Sequence, residues 1–185
     1  MVPEELKKQI STGEIAPLYF FYGENSVLIE EAVRAVQAKL FSGRDPGLNA
    51  AVYDAQVHSP AEIIQCARTI PFAAPRRLVV VKRAHAFREG QWKTFESYLA
   101  KPAPHCCLIL TGSKLGVKGK LLTLIKKTGR PVSFENPRWE RDIKKAITAA
   151  VQRHGKKITP DALSLFADTI GGSRWPGEGG APPAV

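Results

Sequence analysis

The first turn of the chain that could bind a phosphate follows an apolar run at residues 17–22 and reads Gly23-Glu24-Asn25-Ser26-Val27-Leu28. A phosphate loop between a strand and a helix needs several glycines, a Lys for the outer phosphates, and a Ser or Thr for magnesium. This turn has one glycine and no Lys, and Glu24 places a negative charge where phosphate would lie. The residues Gly23, Glu24, Asn25 and Ser26 therefore predict a degenerate nucleotide loop that binds no nucleotide.

A second catalytic requirement is missing after the most strand-like run, Arg77–Lys82. A nucleotide hydrolase of this build carries acidic residues at the end of its third strand, where they hold magnesium and activate water. Here Lys82 is followed by Arg83, Ala84 and His85. We therefore predict no catalytic residue, no metal, no cofactor and no intrinsic enzymatic activity. The residues leave open a site that was lost, a fold that never bound nucleotide, and an active NTPase with an atypical site.

The elements that position these residues alternate between strand and helix along most of the chain. Strands are predicted at 17–22, 49–53, 77–82, 105–111 and 131–134, with helices after Ser26 as N-cap and over 61–68, 91–99, 118–127 and 137–154. This order predicts an α/β fold over residues 1–154, with an open, five-stranded, mostly parallel sheet flanked by helices.

The end of the chain departs from this alternation. A helix over 161–170 has no sheet left to pack on, so residues 155–172 are expected to begin a small helical domain. Residues 173–185 contain six Gly or Pro and no hydrophobic periodicity. We expect a disordered or non-native tail there, from a truncated or frame-shifted C-terminus.

Positive charge is concentrated in the second half of the chain. The net charge is +10, and residues 81–172 hold 18 Lys and Arg against 7 Asp and Glu. Such a basic half indicates either contact with a polyanion or a solvated face. The candidates for contact with a DNA backbone are Lys114, Lys118, Lys120, Lys126, Lys127 and Arg130. A basic DNA-binding protein is thus one alternative function.

The compartment follows from what the sequence lacks. No apolar run approaches the ~20 residues of a membrane span, and residues 1–10 do not form a secretory signal. The three cysteines, Cys66, Cys106 and Cys107, are interpreted as small buried apolar residues. We therefore expect a cytoplasmic protein without membrane contact.

Four stretches together resemble the delta-subunit family of bacterial DNA polymerase III, over about residues 15–172. They are LYFFYGENSVLIEE at 18–31, RTIPFAAPRRLVVVK at 68–82, PVSFENPRW at 131–139 and ITPDALSLFADTIG at 158–171. The order and spacing of the stretches carry the resemblance, and the Phe-Ala-Ala-Pro-Arg-Arg block at 72–77 is its most specific piece.

The resemblance implies a fold, a set of partners and a binding site. The fold would be AAA+-like with a degenerate nucleotide site, followed by a helical lid. The chain would be a non-catalytic subunit of the DNA polymerase III holoenzyme. With the tau/gamma and delta-prime subunits it would open the beta sliding clamp and load it on primed DNA.

The family also implies a clamp-binding site in the loop before the third strand, where a hydrophobic pair inserts into a pocket of the clamp. The corresponding residues here are Ile70, Pro71 and Phe72. Phe72 matches the aromatic member, and Pro71 stands where Leu is often found, so Ile70 is expected to share that role. The alternative for Phe72 is packing into the core beneath the loop.

Overall fold

The computed structural model describes residues 3–135, 144, 147–148, 151–152 and 155–172. The chain divides into two compact units, residues 1–135 and residues 136–185. Much of the predicted helix over 137–154, and the whole predicted tail over 173–185, lie outside the described residues. None of the described helices combines the length and apolar character that crossing a bilayer requires.

The first unit is a five-stranded parallel sheet with helices on both faces. The strands are β1 (Leu18–Tyr22), β2 (Ala50–Asp54), β3 (Arg77–Lys82), β4 (Cys106–Gly112) and β5 (Arg130–Ser133), in the order β2-β3-β4-β1-β5. The helices are α1 (Glu4–Thr12), α2 (Ser26–Leu40), α3 (Pro60–Arg68), α4 (Glu89–Ala100) and α5 (Gly119–Thr128). The predicted fold class and all five predicted strands are confirmed. In the second unit, the helix α6 (Pro160–Gly172) is described.

Two core layers explain why the inner strands are almost continuously apolar. One layer packs under α3, α4 and α5 and includes Phe20, Val79 and Leu108; the other packs under α1 and α2 and includes Phe21, Val80 and Ile109. Successive side chains of a strand point to opposite faces, so a strand covered on both faces needs apolar residues at every position.

The adjacent cysteines follow the same rule. Cys106 belongs to the layer under α3–α5 and Cys107 to the layer under α1 and α2. Burial raises the pKa of the Cys106 thiol to about 11 and that of the Cys107 thiol to about 12. Both side chains are therefore neutral thiols at physiological pH and pack as small apolar groups.

Two local predictions need correction. Helix α1 was not predicted, because its nine residues bury one apolar side chain, that of Leu6. The N-cap of α2 is Asn25 rather than Ser26: the Asn25 Oδ1 accepts a hydrogen bond from the Leu28 N–H at 3.0 Å. Ser26 is the first helical residue. Both Asn and Ser are good N-caps, so residue type alone could not choose between these neighbours.

Candidate functional site

The predicted binding loop connects α3 to β3 and lies at the amino end of the sheet. The side chains of Ile70 and Phe72 are 77% and 74% exposed, and Pro71 between them is half-buried. Phe72 therefore does not pack into the core, and two large apolar side chains face solvent within three residues. Ala73 follows in the left-handed region with φ of +50°, which turns the chain sharply after Phe72.

A buried asparagine outside the loop fixes the main chain of Phe72. The Asn49 Nδ2 donates to the Phe72 carbonyl at 2.8 Å, and the Phe72 N–H donates to the Asn49 Oδ1 at 2.7 Å. The Asn49 residue is 8% exposed, so the side-chain end of both bonds is buried. An amide side chain pairs in this way because it carries one acceptor and one donor side by side.

The two arginines that end the Phe-Ala-Ala-Pro-Arg-Arg block connect the loop to neighbouring segments through hydrogen bonds. The Arg77 guanidinium donates to the Thr69 carbonyl at 3.2 Å and to the Leu48 carbonyl at 3.0 Å. The Arg76 guanidinium donates to the carbonyls of Ile15 at 2.6 Å and Cys106 at 3.0 Å. Both cations thus serve main-chain oxygens of neighbouring segments and do not form a basic surface.

The turn after β1 uses its N–H groups inside the chain. Gly23 donates to the Gly112 carbonyl at 3.1 Å, and Asn25 donates to the Phe134 carbonyl at 3.2 Å. The Ser26 N–H donates to the Glu24 carbonyl at 3.1 Å, and Leu28 is bonded to the Asn25 side chain. A phosphate loop presents such N–H groups to its ligand. Here a phosphate would have to displace four internal hydrogen bonds and approach the exposed carboxylate of Glu24.

A cleft of about 450 Å³ runs beside this turn, along α2 and the carboxyl ends of the strands. Its lining combines apolar side chains such as Ile29 and Val80 with the carboxyl groups of Glu24 and Glu30. Four basic residues also line it: Arg34, Lys82, Arg83 and His85. The cleft therefore offers no uniform positive charge to a polyphosphate.

One carboxylate, that of Asp54, lies beside the end of β3 and was not predicted from the sequence. Asp54, the last residue of β2, pairs in register with Lys82. The Arg83 guanidinium binds both Asp54 oxygens, with Nε at 3.0 Å from Oδ1, and these bonds lower the pKa of the Asp54 carboxyl. The carboxylate is thus engaged by a cation of the same chain. Parallel pairing of β2 with β3, which residue types do not reveal, brings the two together.

The predicted DNA-contacting residues are all exposed and lie around α5. They form one group at its beginning (Lys114, Lys118 and Lys120) and another at its end (Lys126, Lys127 and Arg130). Lys120 and Lys126 both lie in α5, six residues or about 9 Å apart along the helix axis. Lys120 lies 3.8 Å from the Glu96 carboxylate, and the pair is too exposed to remove its charge from the surface.

Comparisons with solved structures support the fold. The DNA clamp loader delta protein of Bacillus subtilis superposes with a TM-score of 0.70 and 20% identity, covering 91% of this chain and 56% of the other. A DNA polymerase III gamma subunit-related protein of Thermotoga maritima gives a TM-score of 0.57 at 13% identity, covering 90% and 58%. The Holliday junction branch migration motor RuvB of Thermotoga maritima gives 0.54 at 13%, covering 90% and 56%. The fold is therefore AAA+-like.

Comparisons of sequence give the family. The DNA polymerase III subunit delta of Bacillus subtilis (strain 168) is 30% identical over 131 residues, which are 65% of this chain and 38% of that protein. The chain thus spans well under two thirds of that relative's length. The sequence model of the family described as DNA polymerase III, delta subunit, matches residues 19–135. This match covers more than half of the 185 residues, and the chain belongs to the DNA polymerase III delta-subunit family.

Proposed function

We propose that this chain acts in DNA replication as a clamp-loader subunit that binds the beta sliding clamp through Ile70, Pro71 and Phe72. The observation that carries the proposal is the exposed pair Ile70 and Phe72 on a loop whose main chain is fixed by Asn49. Membership of the DNA polymerase III delta-subunit family supports the choice of the clamp as partner.

The physics of such a contact favours a rigid aromatic residue. Burying a Phe side chain in an apolar pocket contributes about 1.5–3 kcal/mol. Part of that gain is usually lost to ordering of the loop, and a loop that is already fixed loses less. Both the N–H and the carbonyl of Phe72 are already hydrogen-bonded to Asn49. Most of the free energy gained by burying the Phe72 side chain is therefore available for binding.

Ring opening and assembly extend the same proposal. A protein that binds the open form of a ring more tightly than the closed form shifts the equilibrium toward the open form. The shift is set by the difference between the two binding free energies. We assign that preference to the complete clamp loader, with the tau/gamma and delta-prime subunits as partners and primed DNA as the substrate of the complex. The basic residues at the two ends of α5 remain predicted DNA-backbone contacts. Residues 155–172, which contain α6, are proposed to begin the helical lid.

The clamp contact is tested by the Phe72→Ala variant. We expect its affinity for the purified beta clamp, measured by titration calorimetry, to fall by about tenfold to a hundredfold because one buried aromatic anchor is lost. Val57→Ala is the matched control, since Val57 is 75% exposed and follows the carboxyl end of β2, away from the loop. Equal clamp affinity of the Phe72→Ala and Val57→Ala variants would remove the proposed binding loop.

We also propose that the chain neither binds nor hydrolyses ATP. Supporting this are the four internally bonded N–H groups of the turn and the Glu24 carboxylate. Equilibrium dialysis with labelled ATP and magnesium is expected to give no saturable binding to the purified chain. Saturable binding that is lost on narrowing the cleft with Val52→Phe, at an exposed residue of its lining, would favour an NTPase with an atypical site.

A further inference from the structure

The short turn before β2 exposes a third large apolar side chain. Leu48, in the 3-10 turn Gly47–Asn49, is 79% exposed. A single exposed Leu is ordinary on a protein surface. This one precedes β2 directly, as the loop over 69–76 precedes β3, and β2 and β3 are neighbouring parallel strands. The turn and the loop therefore lie side by side at the amino end of the sheet.

Hydrogen bonds join the turn to the loop at two points. The Asn49 carboxamide makes both of its bonds with the main chain of Phe72. The Arg77 guanidinium, itself 8% exposed, donates to the Leu48 carbonyl and the Thr69 carbonyl at once. The main chains at Leu48 and at Phe72 are thereby held in a fixed relation, although the two residues are 24 positions apart in the sequence.

We infer that the turn Gly47–Asn49 is the second half of the clamp-binding surface, in which Leu48 contacts the beta clamp and Asn49 positions Phe72. The inference rests on the proposed function. Binding energy concentrates in clustered apolar anchors that are held in place before binding. Leu48 is continuous with the proposed interface through the bonded main chain, and its exposure leaves the whole side chain available to the clamp.

The Leu48→Ala variant tests the contact. We expect its affinity for the purified beta clamp to fall by about tenfold, since the apolar side chain beyond Cβ is lost from the interface. Because Leu48 is exposed, the melting temperature of the Leu48→Ala variant should equal that of the wild type. The matched control is again Val57→Ala, which lies about the length of β2, some 17 Å, from Leu48.

The positioning role of Asn49 is tested by a double-mutant cycle with Phe72. Asn49→Ala should weaken clamp binding by about tenfold in the wild-type background and by less than about twofold in the Phe72→Ala background. A merely structural loss would weaken both backgrounds equally. The melting temperature of each variant, measured alongside, shows that the folded protein is compared.

The outcomes separate the two proposals. If Phe72→Ala binds the clamp as the wild type does, the proposed function fails. If Phe72→Ala loses affinity while Leu48→Ala matches Val57→Ala, the contact assigned to Leu48 is overturned and the proposed function stands. If Asn49→Ala costs the same affinity with and without Phe72, the positioning role of Asn49 is overturned.

Discussion

Replacing Gly23 with alanine is expected to lower the free energy of unfolding by roughly 4 kcal/mol. An added Cβ would lie 2.2 Å from the carbonyl oxygen of Phe134 and 2.6 Å from its carbonyl carbon. The φ of Gly23 is +138°, a region that other residues rarely adopt. The clash is with backbone, so a side-chain rotation cannot relieve it, and the strained φ adds to the cost.

The matched control for this substitution is Gly43→Ala. Gly43 also has a positive φ, +73°, but an added Cβ would meet nothing within 4 Å. The Gly43→Ala substitution is expected to lower the free energy of unfolding by about 1–2 kcal/mol, from the backbone conformation alone. Urea unfolding of the two variants and the wild type, followed by circular dichroism, gives the comparison. Equal destabilisation by the two substitutions would show that the approach of Phe134 does not require glycine at position 23.

Gly23 has a structural role in this chain, which differs from the role of glycine in a phosphate loop. In a phosphate loop, glycine lets the ligand approach the main chain. In this chain it lets β5 approach: the Phe134 carbonyl accepts the Asn25 N–H, and the Phe134 N–H donates to the Tyr22 carbonyl at 2.7 Å. Glycine at this turn therefore stabilises the edge of the sheet and is no argument for nucleotide binding.

The sheet could be predicted from the sequence because burial on both faces leaves a direct mark on composition. Leu18–Tyr22 is a run of apolar and aromatic residues, and β3 contains four successive apolar residues between Arg77 and Lys82. Turn residues separate such runs from helical patterns. The sequence order of strands does not give their spatial order. Although β3 is the most strand-like run in the sequence, β4 occupies the middle of the sheet.

The resemblance to a family points to the proposed binding loop, whereas the sequence does not indicate the residues that support that loop. Nothing in the neighbours of Asn49 or Leu48 along the chain indicates contact with residues 69–77. Their proximity arises because β2 and β3 pair in parallel, which brings together the segments that precede each strand. The bond from Arg77 to the Leu48 carbonyl has the same origin. Arg76 instead donates to the carbonyls of Ile15, before β1, and Cys106, at the start of β4.

Arg77 links these supports, and its replacement is expected to have the second large effect. Arg77→Ala removes the bonds to the Leu48 and Thr69 carbonyls and leaves a cavity beside the Cys66 sulfur, which lies 3.9 Å from the guanidinium. Unsatisfied carbonyls and lost packing together should lower the free energy of unfolding by about 3 kcal/mol. Arg68→Ala is the matched control: Arg68 is exposed at the end of α3, and its loss should cost less than about 0.5 kcal/mol.

The effect of Arg77→Ala should also be local to the loop. Without its tie to Thr69, residues 69–76 open more often, so chymotrypsin should cut after Phe72 faster than in the wild type under conditions where both proteins are fully folded. Cleavage after Phe72 at the wild-type rate, together with a loss of stability, would mean that Arg77 supports the core and not the loop. Faster cleavage there and weaker clamp binding together would tie the rigidity of the loop to its recognition of the clamp, because an anchor that must first be ordered binds with less of its burial energy.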